Sequence, residues 1–132
     1  KLSRCCDPVP GDPIIGFITR GKGVSIHRLD CSNLPQEQER LIRVEWDQKE
    51  ERVYPIAIRI EAVDRVNLLA DIMNVIAEKK FNLNAAKVKT EKGIAVLDFI
   101  LEVGHLDQVR DLKRQIQVVE GVQKVYRVSK KR

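Results

Sequence analysis

The chain has 132 residues, of which 43% are hydrophobic and 33% are charged, and its formal net charge is +5. This composition excludes a disordered chain and, because no apolar run is long enough to cross a bilayer, a membrane-spanning helix. The whole positive excess falls after residue 52, and Lys130, Lys131 and Arg132 supply three of the five charges, which is weak support for nucleic-acid binding.

The three cysteines lie near the start of the chain, and residues 1–20 lack the pattern of a signal peptide. An odd number of cysteines in a chain without a secretory signal favours reduced thiols or a metal over a disulfide framework, so the cytoplasm is the expected location. No methionine precedes Met73, and we therefore expect the chain to be a fragment of a longer protein.

The first predicted elements are two short strands around a glycine turn. Residues 13–20 and 24–28 alternate as strands, and the glycines between them permit the positive backbone angles of a tight turn. Residues 30–37 are expected to form one helical turn, and residues 41–46 alternate as a third strand. The start of the chain is thus predicted to be a small α/β cysteine-rich module with a β-hairpin.

The charged run DQKEER at residues 47–52 has no apolar periodicity and is predicted to be a charged linker or the exposed start of a strand. The boundary between a first module, residues 1–50, and a second module, residues 51–132, is placed there. The predicted elements of the second module are a strand at 56–62, a helix at 68–79, strands at 82–90 and 94–103, a helix at 106–116 and a strand at 122–128. This βαββαβ order predicts a ferredoxin-like fold with a four-stranded antiparallel sheet and both helices on one face. The expected class is α+β.

The open face of that sheet is predicted to carry an apolar strip formed by Ile94, Val96 and Ile100. An exposed apolar strip favours a covering partner. The cover is expected to be the first module, other parts of a longer chain, or a second copy in a homodimer that pairs sheet to sheet or edge to edge.

Cys5, Cys6, His27 and Cys31 form the candidate metal site, because thiolates and imidazole are the ligands of a structural zinc ion and a module of this size gains stability from one. Neighbouring side chains in an extended segment diverge, which argues against Cys5 and Cys6 as joint ligands. Asp7 or Asp30 is then an alternative fourth ligand. Reduced thiols with a hydrogen-bonded histidine, or a redox-sensitive thiol pair, are further alternatives.

The tip of the predicted hairpin is basic. Arg20, Lys22 and Arg28 surround the flexible glycines and are candidates for contact with phosphate groups. Asp12 and Asp30 nearly balance these charges, so an ordinary charged turn is the alternative.

The turn from the first strand of the second module into its first helix is a candidate effector site. It comprises Asp64, Arg65, Val66, Asn67 and Leu68. Free N–H groups at the helix start would hold a carboxylate, and Asp64 would meet an ammonium group, as expected for a bound amino acid. The alternative is that Asp64 is a plain helix cap.

Three sequence segments carry a resemblance to a known family. They are CC-x-P-x-PGD at the start, G-x-G-x-x-x-HR-x-x-C from residue 21, and GVQKVYRV from residue 121. The first two segments together are similar to the cysteine-rich module near the carboxyl end of RelA/SpoT-type (p)ppGpp synthetase/hydrolases. Residues 53–128 resemble the ACT domain that ends those proteins.

This resemblance implies a regulatory, non-catalytic fragment of a stringent-response GTP pyrophosphokinase, since no His-Asp metal pair or phosphate-binding loop is recognisable. It implies that the hydrolase and synthetase domains lie upstream. It further implies that the fragment contacts ribosomal RNA and uncharged tRNA and passes amino-acid starvation to the catalytic half. The resemblance also implies that the turn around Asn67 binds an amino acid, as the corresponding turn of ACT domains does. The family pattern usually has glycine at the position of Asn67. An amino-acid sensor for a branched-chain ligand, and a purely structural dimerisation module, are the alternatives.

Overall fold

The computed structural model describes residues 1–21, 23–47 and 52–128. Two antiparallel sheets and two helices make up this part of the chain. The elements are β1 (Ile14–Thr19), β2 (Gly23–Arg28), a 3-10 turn (Gln38–Arg40), β3 (Leu41–Ile42), β4 (Tyr54–Val63), α1 (Leu68–Glu78), β5 (Asn82–Glu91), β6 (Ile94–Val103), α2 (Leu106–Gln117) and β7 (Val122–Arg127).

The second module has the predicted ferredoxin-like arrangement. Its strands lie in the order β5-β6-β4-β7, and all neighbours are antiparallel. Alternate residues of β4 and β6 are buried, because these two central strands have one face against the helices. Leu68, Ile72 and Ile76 of α1 recur at helical spacing and pack in the same core as the strands. The prediction of a four-stranded sheet covered by two helices on one face is confirmed.

The first module contains a small sheet with the order β2-β1-β3. The predicted hairpin is present, but β3 pairs with β1 at only two positions, so the predicted strand at 41–46 was too long. The predicted helical turn at 30–37 was wrong, and a 3-10 turn occurs instead at Gln38–Arg40. Pro35 explains this difference, since the residue before a proline avoids helical backbone angles.

The two modules contact each other on the helix side of the second sheet. Val9 of the first module is fully buried in the core of the second. Arg127, at the end of β7, forms an ion pair with Asp12 at 2.8 Å. The rings of Trp46 and Tyr54 meet edge to face, 5.8 Å apart. These contacts lie away from the strip of the open face, so the cover of that strip stays a prediction.

That strip is interrupted by polar pairs. Ile94 is 36% exposed. Beside the strip Arg59 donates to Asp98 at 2.7 Å, and the Tyr126 hydroxyl donates to Glu61.

Of the helices in the described residues, none has the length and apolar character needed to span a membrane.

Candidate metal centre

Cys5, Cys6, His27 and Cys31 come together as one buried cluster. Their sulfur and nitrogen atoms all lie within 4.8 Å of one another. The Sγ atom of Cys5 is 3.4 Å from Sγ of Cys31 and 4.0 Å from Sγ of Cys6. The Nδ1 atom of His27 lies 3.5 Å from Sγ of Cys5 and 3.9 Å from Sγ of Cys6. Because a disulfide bond is about 2.05 Å long, these sulfurs are thiols.

A turn of the backbone directs both neighbouring cysteines to the cluster. Residues 4–6 form this turn, which the amide of Asp7 closes by donating to the carbonyl of Ser3 at 3.1 Å. Asp7 itself has a positive φ of 46°. The expectation that Cys5 and Cys6 diverge assumed an extended segment, and it was wrong because the segment is turned.

The other two ligands come from β2 and the turn after it. His27 lies near the end of β2, opposite Ile15 of β1. Cys31 is the third residue after the strand, and its amide donates to the carbonyl of Arg28 at 3.0 Å. The turn after β2 therefore brings the cysteine close to the histidine. Asp30, the alternative ligand, instead accepts from Arg28 at 2.8 Å and is largely exposed.

The separations of these atoms fit a tetrahedral ion. Bonds of about 2.3 Å to sulfur and about 2.0 to 2.1 Å to nitrogen place tetrahedral ligand atoms about 3.5 to 3.8 Å apart. Four of the six separations run from 3.4 to 4.0 Å, and all six lie within 4.8 Å. Three sulfurs and one imidazole form a soft donor set that suits zinc, and four protein ligands leave no open coordination position for a substrate. The cluster is therefore suited to a structural ion.

The surroundings of the cluster disfavour free thiolates unless a positive charge is present. Burial raises the pKa of the Cys6 thiol to about 12, although the Arg28 amide, which donates to this sulfur at 3.4 Å, acts in the opposite direction. Burial likewise raises the pKa of Cys31, and a backbone hydrogen bond from Asn33 opposes it. Amides directed at buried sulfurs stabilise the thiolate form that a metal requires.

The basic residues of the hairpin have different environments. Arg20 is exposed at the end of β1. Arg28 is mostly buried and bound through two nitrogens to the carboxylate of Asp30. Lys22 lies outside the described residues. The structure therefore presents Arg20 to solvent and turns Arg28 towards Asp30.

The candidate effector turn is organised by Arg65. Its guanidinium donates to the carbonyls of Glu120 and Val66 and to the carboxylate of Asp71, each within 2.9 Å. Asn67 has a left-handed backbone with φ 68°, and its side chain makes no capping hydrogen bond. The turn thus keeps, with asparagine, a conformation that favours glycine.

The remaining members of this turn differ in exposure. Val66 is 84% exposed, whereas Leu68 is buried in the core. Asp64 is exposed, and its amide donates to the carbonyl of Gly93.

Two polar residues of the first module, Ser3 and Asp12, are buried, which the sequence did not indicate. The Ser3 hydroxyl lies 2.9 Å from Sγ of Cys5, and Asp12 is 6% exposed. Asp12 was expected to help balance the charges of the hairpin, and it forms an ion pair with Arg127 instead. Its partner Arg127 is 115 positions away, and no local pattern indicates such a contact.

Comparisons with known protein families match both modules. Residues 1–47 match the family described as the RelA/SpoT RIS domain, and residues 50–127 match the family described as the ACT domain. A solution structure of the ACT domain from GTP pyrophosphokinase of Chlorobium tepidum aligns with a TM-score of 0.54 and 24% identity. This alignment covers 59% of the chain and 89% of that domain, and it supports the fold of the second module.

Longer proteins match across both modules. The GTP pyrophosphokinase of Streptomyces coelicolor is 45% identical over 100% of this chain and 16% of its own length. The bifunctional (p)ppGpp synthase/hydrolase RelA of Mycobacterium tuberculosis is 44% identical over 98% of the chain and 18% of its own length. The GTP pyrophosphokinase of Escherichia coli K12 is 35% identical over 84% of the chain and 17% of its own length. The chain thus spans about a sixth of the relatives that it matches.

Proposed function

This chain belongs to the ACT domain family, with a RelA/SpoT RIS domain joined to it, and we propose that it is a regulatory, non-catalytic part of a GTP pyrophosphokinase. In this proposal, residues 1–50 and 51–132 are two modules that carry ribosome, tRNA or amino-acid status to catalytic domains on the same longer chain. The parent would synthesise (p)ppGpp, hydrolyse it, or do both, as the names of its relatives state for those proteins.

The observation that carries the proposal is the buried cluster of three thiols and one imidazole. We assign Cys5, Cys6, His27 and Cys31 as the ligands of a structural zinc ion. When bound, zinc would cross-link the start of the chain to the hairpin and neutralise the buried thiolates. A closed set of four protein ligands supports a structural role rather than a reaction, which agrees with a regulatory module.

Zinc content tests this assignment directly. Purified protein is expected to contain one zinc ion per chain by native mass spectrometry, and His27→Ala or Cys31→Ser should lose it together with thermal stability. The control is Val118→Ser, because Val118 is 81% exposed at the carboxyl end of α2. A protein that contains no zinc and keeps its stability in a strong chelator would contradict the assignment.

Ribosome contact is the proposed input of the first module. Arg20 is exposed beside the hairpin turn, so it is available to a phosphate group, and Lys22 is its predicted companion. In the intact parent, Arg20→Glu with Lys22→Glu should weaken binding to stalled ribosomes and lower its salt dependence. Arg110→Glu with Arg114→Glu, on α2, is the charge-matched control. If the variant with Arg20→Glu and Lys22→Glu binds stalled ribosomes as well as the control variant does, the proposal of RNA contact is wrong.

A second candidate function is the sensing of a branched-chain amino acid. It is favoured by the left-handed backbone of Asn67, which preserves the turn at which ACT domains bind such ligands. Calorimetry with valine, isoleucine and leucine should give saturable heat that Asp64→Ala abolishes. Absence of heat at millimolar ligand would exclude sensing. A tight dimer in sedimentation, without any response to ligand or RNA, would instead support a structural dimerisation module.

A further inference from the structure

The six residues that follow Cys6 attach the first module to the second. We name residues 7–12, DPVPGD, the docking segment. The segment begins directly after two of the proposed zinc ligands and ends at Asp12, whose carbonyl accepts from Nε1 of Trp46 at 3.1 Å. The segment is therefore covalently continuous with two of the proposed ligands.

A buried guanidinium binds both ends of the docking segment. The Nη1 atom of Arg127 donates to Oδ1 of Asp12, and its Nη2 atom donates to the carbonyl of Asp7, each at 2.8 Å. The side chains of Arg127 and Asp12 are only 11% and 5% exposed. The other carboxylate oxygen of Asp12 accepts from the amide of Val9 at 2.8 Å. Arg127 thus binds a loop whose shape Asp12 itself maintains.

The middle of the docking segment completes the start of α2. The carbonyl of Pro10 accepts from the amide of Leu106 at 2.7 Å. Leu106 is the first residue of α2, and the amides of a first helical turn have no partner within their own helix. The side chain of Val9 is fully buried in the hydrophobic core that also contains Leu106. The helix therefore receives both a hydrogen-bond acceptor and an apolar contact from the first module.

We propose that the docking segment couples occupancy of the cysteine and histidine cluster to the attachment of α2 and β7 to the first module. This inference rests on the proposed zinc site. A bound ion fixes Cys5 and Cys6, which restricts the conformations of residues 7–12 and so favours their contacts with Leu106 and Arg127. By linkage, those contacts strengthen zinc binding by the same factor that zinc strengthens them. The two modules then respond to one another without a shared ligand.

Hydrogen exchange of the Leu106 amide measures this coupling in the unaltered chain. Removal of zinc with a chelator should speed exchange at Leu106 at least tenfold. The amide of Leu97, in the central strand β6, is the internal reference and should change little. Equal protection of Leu106 with and without zinc would overturn the coupling and leave the zinc site itself untouched.

The reciprocal test changes a contact of the docking segment and measures the affinity for zinc. Arg127→Met removes the guanidinium and keeps an unbranched apolar stem, and we expect it to weaken zinc binding about tenfold, within the usual range of such couplings. Arg59→Met is the control, because Arg59 forms a similar ion pair with Asp98 on the open face, away from the segment. Unchanged affinity in a folded Arg127→Met protein would overturn the inference.

The outcomes distinguish failure of the proposed zinc site from failure of the coupling. If the unaltered chain binds no zinc, the proposed zinc site fails and the coupling fails with it. If Arg127→Met does not fold, Asp12→Asn keeps the shape of the partner side chain and is measured in its place, with the same expected direction. The exchange experiment requires no substitution and decides the matter in either case.

Discussion

Gly11 lies directly against the imidazole of His105, and a β-carbon added to Gly11 would stand 2.7 Å from Cε1 of that ring. Gly11 also has a positive φ of 102°. Gly11→Ala should therefore lower the free energy of unfolding by about 3 kcal/mol or more, since backbone strain and a steric clash each cost about 1 to 3 kcal/mol. Urea denaturation of both proteins checks the value.

The control for this prediction is Gly21→Ala. Gly21 also has a positive φ, of 79°, but no atom lies within 4 Å of the position of an added β-carbon. The control therefore measures the backbone strain alone, about 1 kcal/mol. Equal losses for the two variants would show that His105 and Leu106 impose no additional steric cost on a side chain at position 11.

Leu97 is the most informative position for the core of the second module. Its side chain is fully buried in β6. Its cross-strand neighbour is Val88 on the edge strand β5, which is 43% exposed. Leu97→Ala should cost about 2 to 5 kcal/mol of unfolding free energy, because it removes buried methyl groups and leaves a cavity. Val88→Ala, on the same face of the sheet, should cost less than about 1 kcal/mol. Thermal unfolding of both variants compares them, and similar losses would contradict the assigned core.

Asn67→Gly tests whether the turn before α1 limits binding of an effector. Asparagine occupies a left-handed conformation there without a capping hydrogen bond. Glycine adopts that conformation without a steric penalty, so the variant should be at least as stable as the unaltered chain. If the asparagine side chain fills the space of a ligand backbone, calorimetry with valine should detect tighter binding in the variant. Lower stability of Asn67→Gly would show that the side chain has a structural role.

The pair formed by Lys79 and Asp111 gives a prediction for acid pH. Lys79 follows the end of α1 and lies 2.6 Å from Asp111 of α2, and this hydrogen bond lowers the pKa of the Asp111 carboxyl. A carboxyl with a lowered folded-state pKa contributes stability above its unfolded pKa and loses the contribution as the pH falls through the folded value. Lys79→Gln should raise the pKa of Asp111 in an NMR titration. Lys113→Gln is the control, and an equal shift in both variants would contradict the pairing.

The second module was predictable because its strands and helices repeat a clear hydrophobic period. The alternation around Ile58 and the helical spacing around Ile72 determine both the element and its buried face. In the first module the strand at 41–46 was overestimated, since three alternating residues do not show how many partners a strand will find. Of residues 41–46, only residues 41 and 42 pair with β1.

The cluster was predictable in its members and not in its geometry. Thiols and imidazole at short spacing indicate a metal site, but the turn that brings Cys5 and Cys6 together depends on a left-handed Asp7 that no pattern in the sequence indicates. The contact between Asp12 and Arg127 was beyond prediction for a different reason. Contacts between distant residues follow from the tertiary arrangement and not from local periodicity.

The ion pair between Asp12 and Arg127 joins residues that are 115 positions apart. During translation the docking segment is made long before α2 and β7, so Val9 cannot take its place in the core until the second module has been made. Contacts of such large sequence separation are reached late and slow the folding of a domain. The module that is synthesised first is therefore expected to reach its final shape last, after the sheet of the second module has assembled.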